Sequence, residues 1–175
     1  IIWGSSFILI KKGLLELTPI HLGSLRIIFT TLVILSFSFK SLLKIKREKW
    51  KWIIITAYVG TFFPVYLVGF GQTQIDSGIA SILTTLTPIS TLIVGVFFFN
   101  LFFTRRQILG LSIGLVGSFL LLYQGSLTGD SNIFFAIFII LTTVGYGTSV
   151  NLIKTYLTDI PPAAVTAGIF LSILP

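Results

Sequence analysis

The stretch WGSSFILIKK, residues 3–12, recurs far downstream as YGTSVNLIKT, residues 146–155, and this recurrence decides the fold. The two segments align without a gap, and the match continues beyond them. Its shared positions pair Gly4 with Gly147, Ser6 with Ser149, Leu9 with Leu152, Ile10 with Ile153, Lys11 with Lys154, Leu14 with Leu157, Glu16 with Asp159 and Pro19 with Pro162. An aromatic residue, a small-residue cluster, a lysine, an acid and a proline recur in the same order, which indicates a duplicated unit.

The composition indicates whether this unit lies in water or in a membrane. Of the 175 residues, 54% are hydrophobic and only 10% are charged, and the mean hydropathy is +1.03. A soluble domain carries about a quarter charged residues, so this chain cannot cover a water-facing surface. Runs such as Phe97–Phe99 and Ile53–Ile55 lack the apolar–polar alternation of a membrane-spanning strand. The predicted fold class is therefore an all-α integral membrane protein, in which runs of about 20 apolar residues are spanning helices.

Apolar runs and turn signals divide the chain into about seven predicted helices. They cover residues 1–15, 19–39, 52–70, 78–99, 107–123 and 133–156, and the last begins after the proline pair 161–162 and reaches residue 175. Because the first residue is Ile, we interpret the chain as a fragment that begins inside a helix. Cysteine is absent from the sequence, which excludes disulfides and cysteine-based metal sites.

Charge predicts how the helices are oriented. Loops that follow predicted helices 2, 4 and 6 share one face of the membrane, because successive loops alternate sides. These loops hold nine basic residues: Lys40, Lys44, Lys46, Arg47, Lys49, Lys51, Arg105, Arg106 and Lys154. The loops after helices 3 and 5 hold no Lys or Arg. By the positive-inside rule, the basic loops 40–51 and 104–106 are cytoplasmic, and the net charge of +7 reflects topology and lipid contact rather than nucleic-acid binding.

Together with this topology, the duplication predicts the architecture of the protein. Predicted helices 1 and 6 carry the two copies and are an odd number of spans apart, so they cross the membrane in opposite directions. This pattern predicts an inverted repeat of five-helix units, with about ten spans when complete and about seven here, an architecture typical of secondary transporters. Residues 1–124 are the first repeat, 125–132 an external loop, and 133–175 the start of the second repeat.

Four motifs follow one another at characteristic spacing. They are WGSSF followed by Lys11, Pro19 followed by Arg26, GIASILTTLTP at residues 78–88, and TRRQILG at residues 104–110 followed by Gly114 and Gly117. Together they resemble the EamA family of the drug/metabolite transporter superfamily, over the whole chain. The resemblance implies a ten-helix transporter of small metabolites, often an exporter of amino acids, other organic solutes or drugs. The family often carries a Glu before the fifth-helix motif, where this chain has Leu101, so a role for that carboxylate is not carried over.

Two cations inside predicted helices are candidates for the substrate pathway. An ammonium in hydrocarbon is costly, so Lys11 is expected to face the bundle interior as a pathway or gate residue, unless its long stem lets it snorkel to the interface. Arg26 can bind a substrate carboxylate through its planar fork. It can equally anchor the helix at the interface or pair with Glu16.

Hydroxyl and amide side chains are the other pathway candidates. Ser5, Ser6, Ser149 and Asn151 lie on the two repeat helices, where they either pack helices closely or line a cavity. Pro88 breaks the backbone hydrogen bonding of a hydroxyl-rich helix, which is either a static kink or a moving pathway wall. The remaining candidates are Ser81, Thr84 and Thr85 on that same helix, and the deep aromatic residues Tyr66 and Tyr146.

Each of the five carboxylates falls in a loop or at a span end: Glu16, Glu48, Asp76, Asp130 and Asp159. The sequence predicts no catalytic residue, metal site or cofactor, and a carrier that moves a small solute by alternating access, with predicted helices 1, 3, 4 and 6 lining the path. A lipid-modifying membrane enzyme and a channel are the alternatives. The bilayer and the solute are the expected partners, and the small-residue stripe Gly110, Gly114 and Ser118 allows a homodimer.

Overall fold

A computed structural model describes residues 2–124 and 132–174, and all regular structure in these ranges is helical. The α-helices are α1 (Ile2–Gly13), α2 (Pro19–Leu42), α3 (Trp50–Ala57), α4 (Phe63–Gln74), α5 (Ser77–Thr84), α6 (Thr87–Phe99), α7 (Arg105–Gln124), α8 (Ala136–Tyr156) and α9 (Pro162–Ser172). Short 3-10 turns cover Arg47–Lys49 and Ile133–Phe135, and a π-helical turn covers Tyr58–Phe62.

Four helical stretches of the described chain are long and apolar enough to cross a membrane. They are Pro19–Leu42, Arg47–Gln74, Ser77–Phe99 and Ala136–Tyr156, and α9 is a shorter apolar helix. The predicted fold class is thus confirmed: the chain is a multi-pass helical membrane protein. Two of the four spans are composite, since α3, the π-helical turn and α4 form one and α5 with α6 forms another.

Several predicted boundaries were wrong, chiefly at the basic loops. Lys40 lies in the last turn of α2, and the predicted loop 40–51 is largely helical because its end already belongs to α3. Arg105 and Arg106 begin α7 rather than forming a turn. Lys and Arg are good helix formers, so a run of charge at a span end does not by itself stop a helix.

The span Arg47–Gln74 is interrupted at a proline. Pro64 cannot donate a backbone hydrogen bond, and the preceding turn, Tyr58–Phe62, widens to π-helical geometry. Gly60 lies in this turn and packs directly against Ser149 of α8. Ser149, a predicted pathway residue, is therefore a contact residue between two spans in this structure.

Helix α8 lies at the centre of the bundle and packs against α3, α4, α5 and α6. Two apolar clusters flank it. One joins α2, α3 and α9 around Ile27 and Ile53, and the other joins α1, α4, α5 and α8 around Phe7 and Ile139. Many other large apolar side chains of the described residues are exposed, as expected for helices that face lipid.

Contacts between loops define the two ends of the bundle. At one end, which we call the basic end, Lys49 forms a salt bridge of 2.7 Å with Asp159. At the opposite end, the backbone N–H of Asn132 donates a 3.1 Å hydrogen bond to the carbonyl of Gln74. The segments after predicted helices 2 and 6 therefore share one end, and those after predicted helices 3 and 5 share the other. Helices α1 and α8 consequently run in opposite directions.

Candidate functional site

The span Ser77–Phe99 is interrupted between its two helices, α5 and α6. Helix α5 ends at Thr84 and α6 begins at Thr87, with Pro88 in its first turn. Proline has no N–H, so the carbonyl of Thr84 lacks its usual backbone partner. The Thr87 hydroxyl replaces that partner, because it donates a 2.6 Å hydrogen bond to the Thr84 carbonyl oxygen. The break is thus stabilised by a neighbouring side chain in a region that has no water to satisfy freed backbone groups.

Other hydroxyl groups of this span also donate hydrogen bonds to backbone carbonyls. Ser81, Thr84 and Thr91 each donate to a backbone carbonyl three or four residues earlier, at 2.6–2.8 Å. Thr85 does the same toward Ile82. A hydroxyl has one proton and two lone pairs, so a hydroxyl that donates to its own helix presents acceptor oxygen to its surroundings. The face that carries these groups is polar but uncharged.

A cavity of about 580 Å³ lies beside the break. Its lining residues are Gly4, Phe7, Ser81, Thr84, Thr85, Thr87, Pro88 and Thr91. Four of them were predicted as pathway residues from the sequence. A concave space of this size, with apolar walls and a few convergent polar groups, is typical of a small-molecule site.

Helix α1 contributes a different part of its surface from the one that the sequence predicted. Gly4 and Phe7 line the cavity, whereas Ser5 is exposed and Ser6 is half-buried outside this lining. Thr87 is three residues from the predicted Thr84, Thr91 is three residues from the predicted Pro88, and Phe7 is four residues from the predicted Lys11, so helical periodicity around the predicted residues identifies all three. Together with Gly4, these are the lining residues that sequence reasoning missed.

Asn151 holds α8 against α6. Its side chain is almost fully buried, and its amide donates to the carbonyl oxygens of Thr91 at 2.8 Å and Gly147 at 2.9 Å. One turn away, the hydroxyls of Ser90 and Thr143 share a 2.9 Å hydrogen bond. Asn151 therefore touches the cavity wall through Thr91 but faces the seam between two helices rather than the cavity.

Lys11 is engaged in the structure rather than free in a pathway. Its ammonium donates to the carbonyl oxygens of Gln72 at 2.8 Å and Ile75 at 3.0 Å, at the C-terminal end of α4. A cation at this position satisfies carbonyls that have no helical partner and faces the negative end of the helix dipole. Its repeat mate Lys154 is exposed. Its neighbour Lys12 is exposed as well.

Arg26 and Tyr146 are brought together from separate spans. Arg26 is half-buried on α2, and it lies within electrostatic range of the Tyr146 phenol on α8. The alternative pair of Arg26 with Glu16 is not formed among the described residues. Tyr66 is held nearby on α4, where its hydroxyl shares a 3.0 Å hydrogen bond with Ser24 of α2.

The basic end carries an electrostatic contact that the sequence did not predict. Lys49 donates to the Asp159 carboxylate and to the carbonyl oxygen of Tyr156, both at 2.7 Å. The hydrogen bond from Lys49 is the main cause that lowers the pKa of the Asp159 carboxyl below its ordinary value. The rings of Trp52 and Tyr156 stack in parallel 3.6 Å apart beside it. These contacts tie the start of α3 to the connection between α8 and α9.

Comparison with known proteins now assigns the family. The sequence model of the EamA-like transporter family matches residues 1–123. The chain belongs to the EamA-like transporter family. The helical membrane fold agrees with the resemblance drawn from the motifs.

Three curated relatives share 26–28% of residues with this EamA chain. One is an uncharacterized transporter of Archaeoglobus fulgidus, 28% identical over 95% of this chain and 58% of the relative's length. The second is the uncharacterized transporter YdfC of Bacillus subtilis, 28% identical over 70% of this chain and 40% of the relative's length. The third is a probable amino-acid metabolite efflux pump of Salmonella typhimurium, 26% identical over 74% of this chain and 42% of the relative's length. The chain thus spans about half the length of these relatives. No solved structure matches it significantly.

Proposed function

We propose that this protein is a secondary carrier that exports small organic solutes, amino acids or their relatives among them, across the cell membrane. The cavity at the helix break is the observation that carries the proposal. It combines an interrupted span with hydroxyl groups whose acceptor oxygens face a space of about 580 Å³. Interrupted helices near mid-span form the substrate sites of many secondary transporters.

The chemistry of the cavity suits a ligand that donates hydrogen bonds. The hydroxyls of Thr84, Thr87 and Thr91 donate hydrogen bonds to backbone carbonyls, so each oxygen can accept a hydrogen bond from a bound group. No charged side chain is among the described residues that line the space. Amines, amides and hydroxyl groups on a small solute fit this surface, and Phe7 supplies apolar contact. Transport of this kind needs no covalent step, so no catalytic residue is proposed.

Alternating access provides the mechanism. We take residues 1–124 as the first five-helix unit, 125–132 as an external connection and 133–175 as the beginning of an inverted second unit. The opposite directions of α1 and α8 support this proposal. Rocking of the two units then exposes a site bounded by α1, α3 with α4, α5 with α6, and α8 to either side in turn.

Export is proposed from the printed name of the Salmonella relative, and the cell membrane from the transporter family. From the asymmetry of basic residues we assign the end that holds Lys49 and Arg105 to the cytoplasm. In this orientation the bond between Asn132 and Gln74 lies at the external surface.

Flux in proteoliposomes tests the proposal. Purified protein is reconstituted, and uptake of labelled L-leucine, L-threonine and L-cysteine is measured against protein-free vesicles. A carrier shows saturable uptake and accelerated exchange when unlabelled solute is present inside. Thr91→Leu, which fills the cavity, is expected to abolish uptake, while Thr166→Leu, an exposed threonine on α9, is expected to leave it unchanged. Flux that neither saturates nor shows counterflow would exclude a carrier and indicate a channel.

A further inference from the structure

We propose that Arg26 and Tyr146 form an anion site that takes the carboxylate of the transported solute. The inference rests on the proposed transport function and adds the substrate class. Its starting observation is that Arg26 carries a full positive charge inside a membrane span and has no salt bridge or hydrogen bond to any residue that the structure describes.

The position of Arg26 on α2 directs it into the bundle. It is the eighth residue of the helix, about 10 Å from its N-terminal end. Gly23, which lies one turn before Arg26 on the same helical face, is buried against the Tyr66 ring. A guanidinium on this face lies toward α4, and it is close enough to Tyr146 of α8 for the two side chains to interact electrostatically.

The charge balance of the chain leaves this cation without a counter-ion. None of the helices α1 to α9 carries an Asp or Glu. The half-buried Lys11 of α1 is stabilised locally by two carbonyl oxygens, whereas Arg26 has no hydrogen bond or salt bridge among the described residues. A cation within a bilayer is costly without a partner, and such residues typically mark substrate pathways.

The chemistry of the two side chains suits a carboxylate. A guanidinium binds a carboxylate through two parallel N–H groups, which a lysine cannot do. The Tyr146 phenol can donate a third hydrogen bond to the same oxygens. Its own helix neighbours, Thr142 and Thr143, are buried, so the ligand leaves water when it binds and its interaction with Arg26 strengthens.

Matched ligands measure the proposed contact without depending on transport. Binding of L-threonine and L-threoninamide, of L-leucine and L-leucinamide, and of acetate and acetamide is measured by titration calorimetry on detergent-solubilised protein. The acids are expected to bind at least about 10-fold more tightly than their amides, since only the acids carry the anion. Arg26→Gln is expected to weaken acid binding about 10- to 100-fold and amide binding little. Arg26→Lys falls between, and Tyr146→Phe weakens acid binding by about 3- to 10-fold.

The control variant is Arg105→Gln, which removes an exposed arginine at the start of α7 and is expected to leave binding unchanged. If no acid binds, if acids and amides bind equally, or if Arg26→Gln retains acid binding, the anion site is wrong. Failure of the transport function appears differently, as an absence of saturable flux in proteoliposomes for protein whose acid binding is intact.

Discussion

The ammonium of Lys11 lies 2.8 Å from the carbonyl oxygen of Gln72, and the amide side chain of Gln72 donates in return to the carbonyl of Phe7, at 3.0 Å. The two residues thus form a reciprocal clamp between α1 and the end of α4. Gln72 is fully buried, and Phe7 is one of the cavity-lining residues. The clamp therefore fixes the part of α1 that borders the cavity.

Loss of this clamp is expected to destabilise the protein. Lys11→Met keeps the length of the side chain but leaves two carbonyls without a donor, at a cost of about 2 kcal/mol. Lys12→Met is the matched control, because Lys12 is the exposed neighbour on the same helix and its loss should cost little. Thermal unfolding of both variants in one detergent measures the difference. Equal melting temperatures would show that the Lys11 contacts do not contribute to stability.

The paired glycines of the two repeat helices are expected to respond differently to substitution. A Cβ on Gly147 would lie 2.6 Å from the backbone nitrogen of Thr91, whereas a Cβ on Gly4 meets no described atom within 4 Å. Gly147→Ala must push α6 and α8 apart and is expected to cost about 1–3 kcal/mol or more. Gly4→Ala should be neutral or slightly stabilising, because alanine favours helix. Unfolding temperatures test this, and similar losses at both positions would contradict the packing described for α8.

Loss of the Thr87 hydroxyl at the helix break is expected to lower the free energy of unfolding more than loss of a threonine hydroxyl in a regular helix. Thr87→Val leaves the Thr84 carbonyl with neither an amide nor a hydroxyl donor and should cost about 1–2 kcal/mol. Thr166 donates similarly to the Pro162 carbonyl, but within an uninterrupted helix whose own N–H groups remain. Thr166→Val should therefore be close to neutral. If the two valine variants unfold at the same temperature, the break does not depend on Thr87.

The spans and the break could be predicted from the sequence because their causes are local. Bilayer thickness sets how long an apolar run must be, and the proline ring at Pro88 removes a hydrogen bond wherever it lies in a helix. The four hydroxyl and proline candidates of this span accordingly line the cavity. The segment 40–51 was misassigned because charge predicts which side a loop occupies and not where the helix ends.

The partners of Lys11 and Arg26 could not be predicted for a different reason. The carbonyl of Gln72 is 61 residues from Lys11 in sequence, and Tyr146 lies on a span far from Arg26. A single sequence contains no signal that pairs such positions. Because a charge in lipid is costly, the sequence predicts that each cation needs a polar or charged partner. Which groups act as partners depends on how the helices pack.

The orientation of the bundle is expected to follow its charge. Because the sequence contains no cysteine, single substitutions can be labelled without background. Gln74→Cys and Asn132→Cys should react with an impermeant maleimide added to intact cells. Lys51→Cys and Arg105→Cys should react only after permeabilisation. All four side chains are exposed. Reaction of Gln74→Cys and Arg105→Cys from the same side would contradict the topology.

The contact between Lys49 and Asp159 predicts a pH-dependent contribution to stability. The pKa of Asp159 is lowered in the folded protein, chiefly by the hydrogen bond from Lys49, so the folded state releases this proton more readily than the unfolded chain does. The contact therefore stabilises above the ordinary Asp pKa of about 4 and is lost as the pH falls through the lowered value. The melting temperature of the wild type should exceed that of Asp159→Asn at about pH 7, and the gap should narrow as the pH falls below about 4.

The matched control for this measurement is Glu16→Gln, an exposed acid that forms no salt bridge with a described residue. The melting temperatures of Glu16→Gln and the wild type should show no comparable difference at neutral or acidic pH. Lys49→Met should behave like Asp159→Asn and remove most of the same pH dependence, because both variants delete the contact that chiefly lowers the pKa. High salt should shrink the gap at neutral pH, since Asp159 is exposed and its attraction to Lys49 is screened. A gap that is independent of both pH and salt would mean that Asp159 stabilises the loop through its backbone conformation and not through its charge.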